Sequence, residues 1–170
     1  GVDGLRLRGI TNGVERDGDR DQDIPKVHNL LREVRQTIAQ RYPGRVLVAD
    51  EPSGHEDGAA YFGSGDECHL AFNMALAPRL FMALKQENRR AVVDTLRQLP
   101  DIPATCQWAV FLRNRDEVRL DRCTDREQDY LYQTYAPDPQ ARLNGGIHGR
   151  LAPLVENDRR RIELAYALLF

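Results

Sequence analysis

Residues 107–117 read QWAVFLRNRDE, an apolar run from Trp108 to Leu112 that ends abruptly in Arg113, Asn114, Arg115, Asp116 and Glu117. A buried parallel strand has this profile where it finishes at the carboxyl end of an α/β barrel, the end that carries catalytic groups. The chain opens in the same way. In VDGLRLR, the residues Val2, Leu5 and Leu7 mark a strand over 2–8 that ends on charge, with Arg6 and Arg8 at alternate positions and so on one face. RVLVADE repeats the pattern, a strand over 45–50 that ends on Asp50 and Glu51. Three strands that finish in acids and arginines predict a site at their shared end.

Between these strands the spacing predicts helices. Pro25 opens one, since proline is tolerated in a first turn, and Val27, Leu30, Leu31, Val34 and Ile38 follow as an amphipathic stripe. Tyr42-Pro43-Gly44 stops it, which makes strand, helix and strand a βαβ unit with a right-handed crossover. CHLAF, 68–72, reads as a short strand, with helices over 74–87, 91–99, 125–136 and 156–170, the last capped at Asn157-Asp158. The order β-α-β-β-α-α-β-α-α, with four parallel strands, is about half of an eight-stranded barrel. The expected fold is therefore α/β, a partial (β/α)8 barrel forming a single domain over 1–170.

Composition narrows the partners. A chain of 170 residues is long enough for one domain with a core, since chains of that size bury ~70% of their unfolded surface. The net charge of −2, with both signs interspersed, predicts neither nucleic acid nor an anionic membrane as partner. The arginines at 159–161 are flanked by acids and read as a solvated helix face. No apolar run reaches the ~20 residues of a membrane span, and the chain opens on a charged strand rather than a signal peptide. Cys68, Cys106 and Cys123 form neither a disulfide framework nor a zinc pattern, so a reduced, cytoplasmic setting is expected. Asp17, Asp19, Asp21 and Asp23 alternate as calcium ligands do, but Gly18 is misplaced and no glutamate closes the loop. The chain starts within a strand and ends on an apolar helix, ALLF, the profile of a piece cut from something longer.

The strand-end segments DGLRLR, RVLVADE and FLRNRDE resemble those of the α-amylase-type glycoside hydrolases. YPGRVLVAD, YFGSGDECHLAFNMALAPRLFMAL and RLAPLVENDRRRIELAYALL are similar to one branch, the trehalose synthases, which interconvert maltose and trehalose. The similarity runs over nearly all of the chain. It implies the fourth to seventh strands of a catalytic barrel, without the first three, the eighth or the β-sandwich that follows.

A retaining glycosidase needs two carboxyl groups ~5 to 5.5 Å apart, one to attack the sugar carbon and one to protonate the leaving oxygen. The resemblance implies an aspartate nucleophile at the position of Arg8, and a guanidinium, always protonated, has no lone pair to form the glycosyl ester. Arg6 matches the arginine that orients that aspartate. Asp50 matches the acid/base, a glutamate in the family, and is one methylene shorter; Glu51 is the fallback, facing the other side of the strand. Asp116 matches the acid that stabilises the distorted sugar, and Arg115 replaces the histidine that binds sugar hydroxyls. His69, in the GDECH stretch, matches a position near the sugar pocket; His28 sits on the polar side of its helix and reads as surface. Glu15 matches a calcium-loop position, although Asn12 and Gly13 depart from that loop's pattern, so no cofactor is expected.

Three functions follow from the resemblance. The first is the family's retaining maltose/trehalose isomerisation, lost here through Arg8. The second is an active α-amylase-type glycosidase or sucrose hydrolase fragment. The third is a non-catalytic relative that binds a disaccharide or a partner. Homo-oligomers and a maltokinase are the partners the family implies, and the open strand edges of a half barrel favour self-association.

Overall fold

The computed structural model describes residues 1–8, 20–50 and 58–169, with residues 20–24 described by their backbone. Strand β1 (Gly4–Arg8) leads to α1 (Arg20–Arg41) and β2 (Val46–Asp50), and then to β3 (Leu70–Asn73). Helices α2 (Leu76–Gln86) and α3 (Arg90–Arg97) precede β4 (Gln107–Val110). The strands form one sheet in the order β1-β2-β3-β4. β1 and β2 pair in parallel from Gly4 opposite Val46 to Arg8 opposite Asp50, and β2 and β3 pair in parallel at Val48 and Leu70. The tight β1–β2 approach requires Gly4, because a Cβ there would lie 2.8 Å from the Val46 carbonyl oxygen. Strands that alternate with helices and pair in parallel are the α/β architecture expected from the sequence.

Two compact units carry separate cores. The first comprises Gly1–Phe72 and Pro100–Ala109. Its core joins Val27, Leu31 and Ile38 of α1 to Leu47 and Ala49 of β2, with Tyr61, Phe62, Cys68, Ala71 and Cys106. Phe62 meets Trp108 edge to face at 5.2 Å. Burying each large apolar side chain of this set contributes roughly 1.5–3 kcal/mol. Leu30, part of the sequence stripe, is exposed, so the buried face of α1 is narrower than its apolar spacing.

The second unit comprises Asn73–Leu99 and Val110–Phe170. Its core gathers Leu76, Leu80, Phe81 and Leu84 of α2 with Leu112, Val118, Leu120, Leu131 and Ile147. Helix α4 (Asp125–Tyr135) begins at a capping box, Thr124 accepting from the Glu127 amide while the Glu127 carboxylate accepts from the Thr124 amide. A short α5 (Leu151–Leu154) precedes α6 (Arg159–Ala167), whose cap is Asp158, accepting from the amides of Arg160 and Arg161.

Three features correct the sequence reading. Helix α1 begins at Arg20, so Pro25 lies inside it instead of opening it and forfeits one ladder hydrogen bond. The strand read from the apolar run that extends to Leu112 ends at Val110. A small antiparallel sheet, unforeseen, orders β5 (Glu117–Arg119), β7 (Gly146–His148) and β6 (Arg142–Leu143) as β5-β7-β6. β6 and β7 are joined by Asn144-Gly145, both at positive φ, 52° and 73°, as a two-residue hairpin turn demands.

Candidate functional site

Arg6, Arg8, Asp50 and His69 belong to the first unit, Arg115 and Asp116 to the second. In the first, β1 and β2 end together. The register sets Arg8 opposite Asp50, and alternation along the strand places Arg6 on the same face as Arg8. Arg6 Nη2 lies 2.7 Å from Asp50 Oδ2, and its guanidinium stacks 5.1 Å from the ring centroid of Phe72. The Asp50 side chain is 1% exposed, and its Oδ1 has no hydrogen-bond partner among the described residues. Arg8 is exposed and has an interaction partner of its own. An ion left unpaired in so enclosed a setting costs several kcal/mol, so the burial of Asp50 depends on Arg6 beside it.

His69 stands immediately before β3, at the amino end of the strand, whereas Asp50 closes the carboxyl end of β2. Its Nδ1 accepts a 2.9 Å hydrogen bond from the Leu47 amide. Burial, reinforced by the charge of Arg35, pushes its pKa down, so the ring stays neutral and keeps that lone pair. His69 Nδ1 therefore continues the β2–β3 ladder by one bond beyond the strand.

Glu67 was not singled out from the sequence. It is fully buried, with Oε2 2.7 Å from His28 Nδ1 and Oε1 2.9 Å from Arg32 Nη2, while Arg35 Nη1 donates to its carbonyl oxygen at 2.8 Å. His28 is thus not a surface residue; its side chain is 18% exposed and is tied to a buried acid. The spacing of 28, 32 and 35 on one helix face, set against an acid in a glycine-rich turn, is the signal that reading only the apolar stripe passes over. Gly63, at φ 55°, shapes that turn, since a Cβ there would lie 2.8 Å from Glu67 Oε1.

In the second unit, residues 111–116 leave β4 and turn toward β5. Arg113 holds the turn: Nε donates to the Asn114 carbonyl at 2.9 Å, and Nη2 to the carbonyls of Arg115 and Gly149. Asp116 follows, 31% exposed, with Oδ2 2.7 Å from Arg115 Nε and Oδ1 3.3 Å from Arg150 Nε. The Arg115 hydrogen bond, then the charges of Arg115 and Arg150, hold its carboxyl below the usual carboxylate range. Arg115 itself is 83% exposed.

Among the described residues no group of three or more His, Cys, Asp or Glu is placed to hold a metal ion. Glu15 and Glu51 lie outside the described residues, as do Asn12, Gly13, Asp17 and Asp19. No described helix is long and apolar enough to cross a membrane. Cys68, Cys106 and Cys123 are free, and burial pushes the thiols of Cys68 and Cys123 up to about 12.

No protein-family model matches the chain. Among curated proteins it is 48% identical to the trehalose synthase/amylase TreS of Mycolicibacterium smegmatis, over 99% of this chain and 29% of that protein. It is 45% identical to the enzyme of the same description from Mycobacterium tuberculosis, with the same coverage. It is 44% identical to the trehalose synthase of Thermus thermophilus, over 99% of this chain and 18% of that one. The chain thus spans under a third of the length of these relatives. Among solved structures, the sucrose 6F-phosphate phosphorylase of Thermoanaerobacter thermosaccharolyticum matches 99% of this chain and 35% of its own, with TM-score 0.70 at 13% identity. That match speaks for the fold alone.

Proposed function

We propose that this chain, which belongs to the trehalose synthase family of the α-amylase type, is a non-catalytic member that has lost the family's maltose/trehalose isomerisation. The observation that carries the reading is the filling of the strand ends. The position matched to the nucleophile holds Arg8, and Asp50 opposite it is buried and ion-paired to Arg6. A retaining mechanism needs a carboxylate to hold the glucosyl group while the leaving sugar is re-presented, and a second carboxyl to move the proton. An arginine performs neither step. Losses of nucleophile and acid strike one catalytic unit, so the first alone abolishes turnover.

What remains is binding. Asp116 keeps a charged, accessible carboxylate able to accept hydrogen bonds from sugar hydroxyls, and Arg115 stands where the family resemblance sets a hydroxyl-binding histidine. We place the chain in the cytoplasm, where its thiols stay reduced, with a disaccharide, a second copy or a maltokinase as its partners.

The test is incubation with maltose at high protein concentration, following trehalose and glucose. The expected result is no product above a heat-killed control, both for the chain and for Arg8→Asp alone. Product from the unmodified chain that disappears in Asp116→Asn overturns the reading.

A further inference from the structure

The second unit contains a groove of about 750 Å3 whose polar lining is Arg113, Arg115, Arg150 and Tyr166, with Leu112 and Leu151 among its apolar residues. Three guanidiniums meet one neighbouring carboxylate. Arg115 and Arg150 reach Asp116 through Nε alone, and Arg113 donates to carbonyl oxygens, which carry no net charge. Among the described residues the Nη groups of Arg115 and Arg150, and Nη1 of Arg113, make no hydrogen bond. The lining therefore holds two more positive charges than Asp116 cancels, and these Nη donors are turned to no acceptor among the described residues.

We infer that this groove binds a phosphate dianion, as free phosphate or as the monoester of a sugar. The charge matches the excess, and the planar fork of each guanidinium fits two phosphate oxygens at once. The Tyr166 hydroxyl adds a further hydrogen-bond donor. Val110, exposed in the same lining, offers an ester's carbon skeleton an apolar surface that inorganic phosphate has no use for. The division of labour is clear in the hydrogen bonds: Arg113, immobilised by main-chain oxygens, fixes the position, and the exposed Arg115 and Arg150 close on the ligand. This inference does not rest on the loss of catalysis proposed above.

The experiment is calorimetric titration of the chain at low salt with glucose 6-phosphate, inorganic phosphate and glucose. Both phosphate compounds bind and glucose does not. Tighter binding of the ester identifies a sugar phosphate, and equal binding identifies free phosphate. The double variant Arg115→Gln, Arg150→Gln weakens either by at least tenfold while its melting curve stays unchanged, since both side chains are exposed. A control on another surface, Arg89→Gln with Arg97→Gln on and beside α3, leaves binding intact. Absence of heat with both phosphate compounds, glucose binding as well as its phosphate, or equal loss in the control pair would each overturn the assignment.

Discussion

Asp50 closes β2 with its side chain 1% exposed and Arg6 2.7 Å away; Asp116 sits in a turn, 31% exposed, between Arg115 and Arg150. Each is an acid served by arginines, and the chemistry of the pairs is the same. Their surroundings make them different objects. The Asp50 side chain is enclosed, so solvent replaces a lost cation poorly and the first unit must keep the pair satisfied. Around Asp116 water competes with both guanidiniums, so its pairs shape a local potential and add little to stability. Burial, more than the number of partners, decides which carboxylate supports the fold and which remains open to a ligand.

The largest effect is expected from Arg6→Ala. It leaves a buried carboxylate without its cation and destabilises the first unit by about 2–3 kcal/mol, below the usual range for breaking a buried pair because the guanidinium is half exposed. Denaturant unfolding followed by Trp108 fluorescence measures this, and an unchanged midpoint would erase the distinction between the two acids. Asp50→Asn comes next, at about 1 kcal/mol, since the amide still fits and the freed Arg6 can be hydrated. If Asp50→Asn costs more than Arg6→Ala, the carboxylate makes contacts beyond its ion pair.

The smallest effect belongs to Asp116. Its folded pKa lies below the unfolded value, so its contribution is present above the unfolded pKa of roughly 3.9 and is lost as pH falls through the folded value. The difference in unfolding midpoint between the chain and Asp116→Asn should therefore be slight at pH 5, vanish at lower pH, and shrink in high salt. A difference that persists in high salt would place Asp116 in the same regime as Asp50.

The strand ends were legible in the sequence because an apolar run that stops on charge has one simple structural reading. β1 and β2 follow it, and so does the parallel order, whereas β4 stops at Val110, before the charged residues. The capping box at Thr124 and the hairpin at Asn144-Gly145 also have local signatures, and both were passed over; the hairpin's strands are only two and three residues long. The early start of α1 was masked by Pro25, whose usual place is a first turn. Least legible was Glu67, since a charged residue in a glycine-rich loop looks solvated until helix α1 brings His28 and Arg32 against it. Pairing across 39 residues has no local signature. Among the candidate site residues, the identities at 6, 8, 50, 115 and 116 could be matched by position alone. Their burial could not, and burial is what separates Asp50 from Asp116.

Arg113 has a consequence for how this chain can change over generations. Its guanidinium reads the carbonyl oxygens of Asn114, Arg115 and Gly149, and a carbonyl oxygen is the same whichever side chain its residue bears. The path of the turn is therefore insured against substitution at its own positions. Position 115 can change its side chain without the main chain registering the difference. A scaffold built this way keeps the address fixed while what is displayed there is free to change.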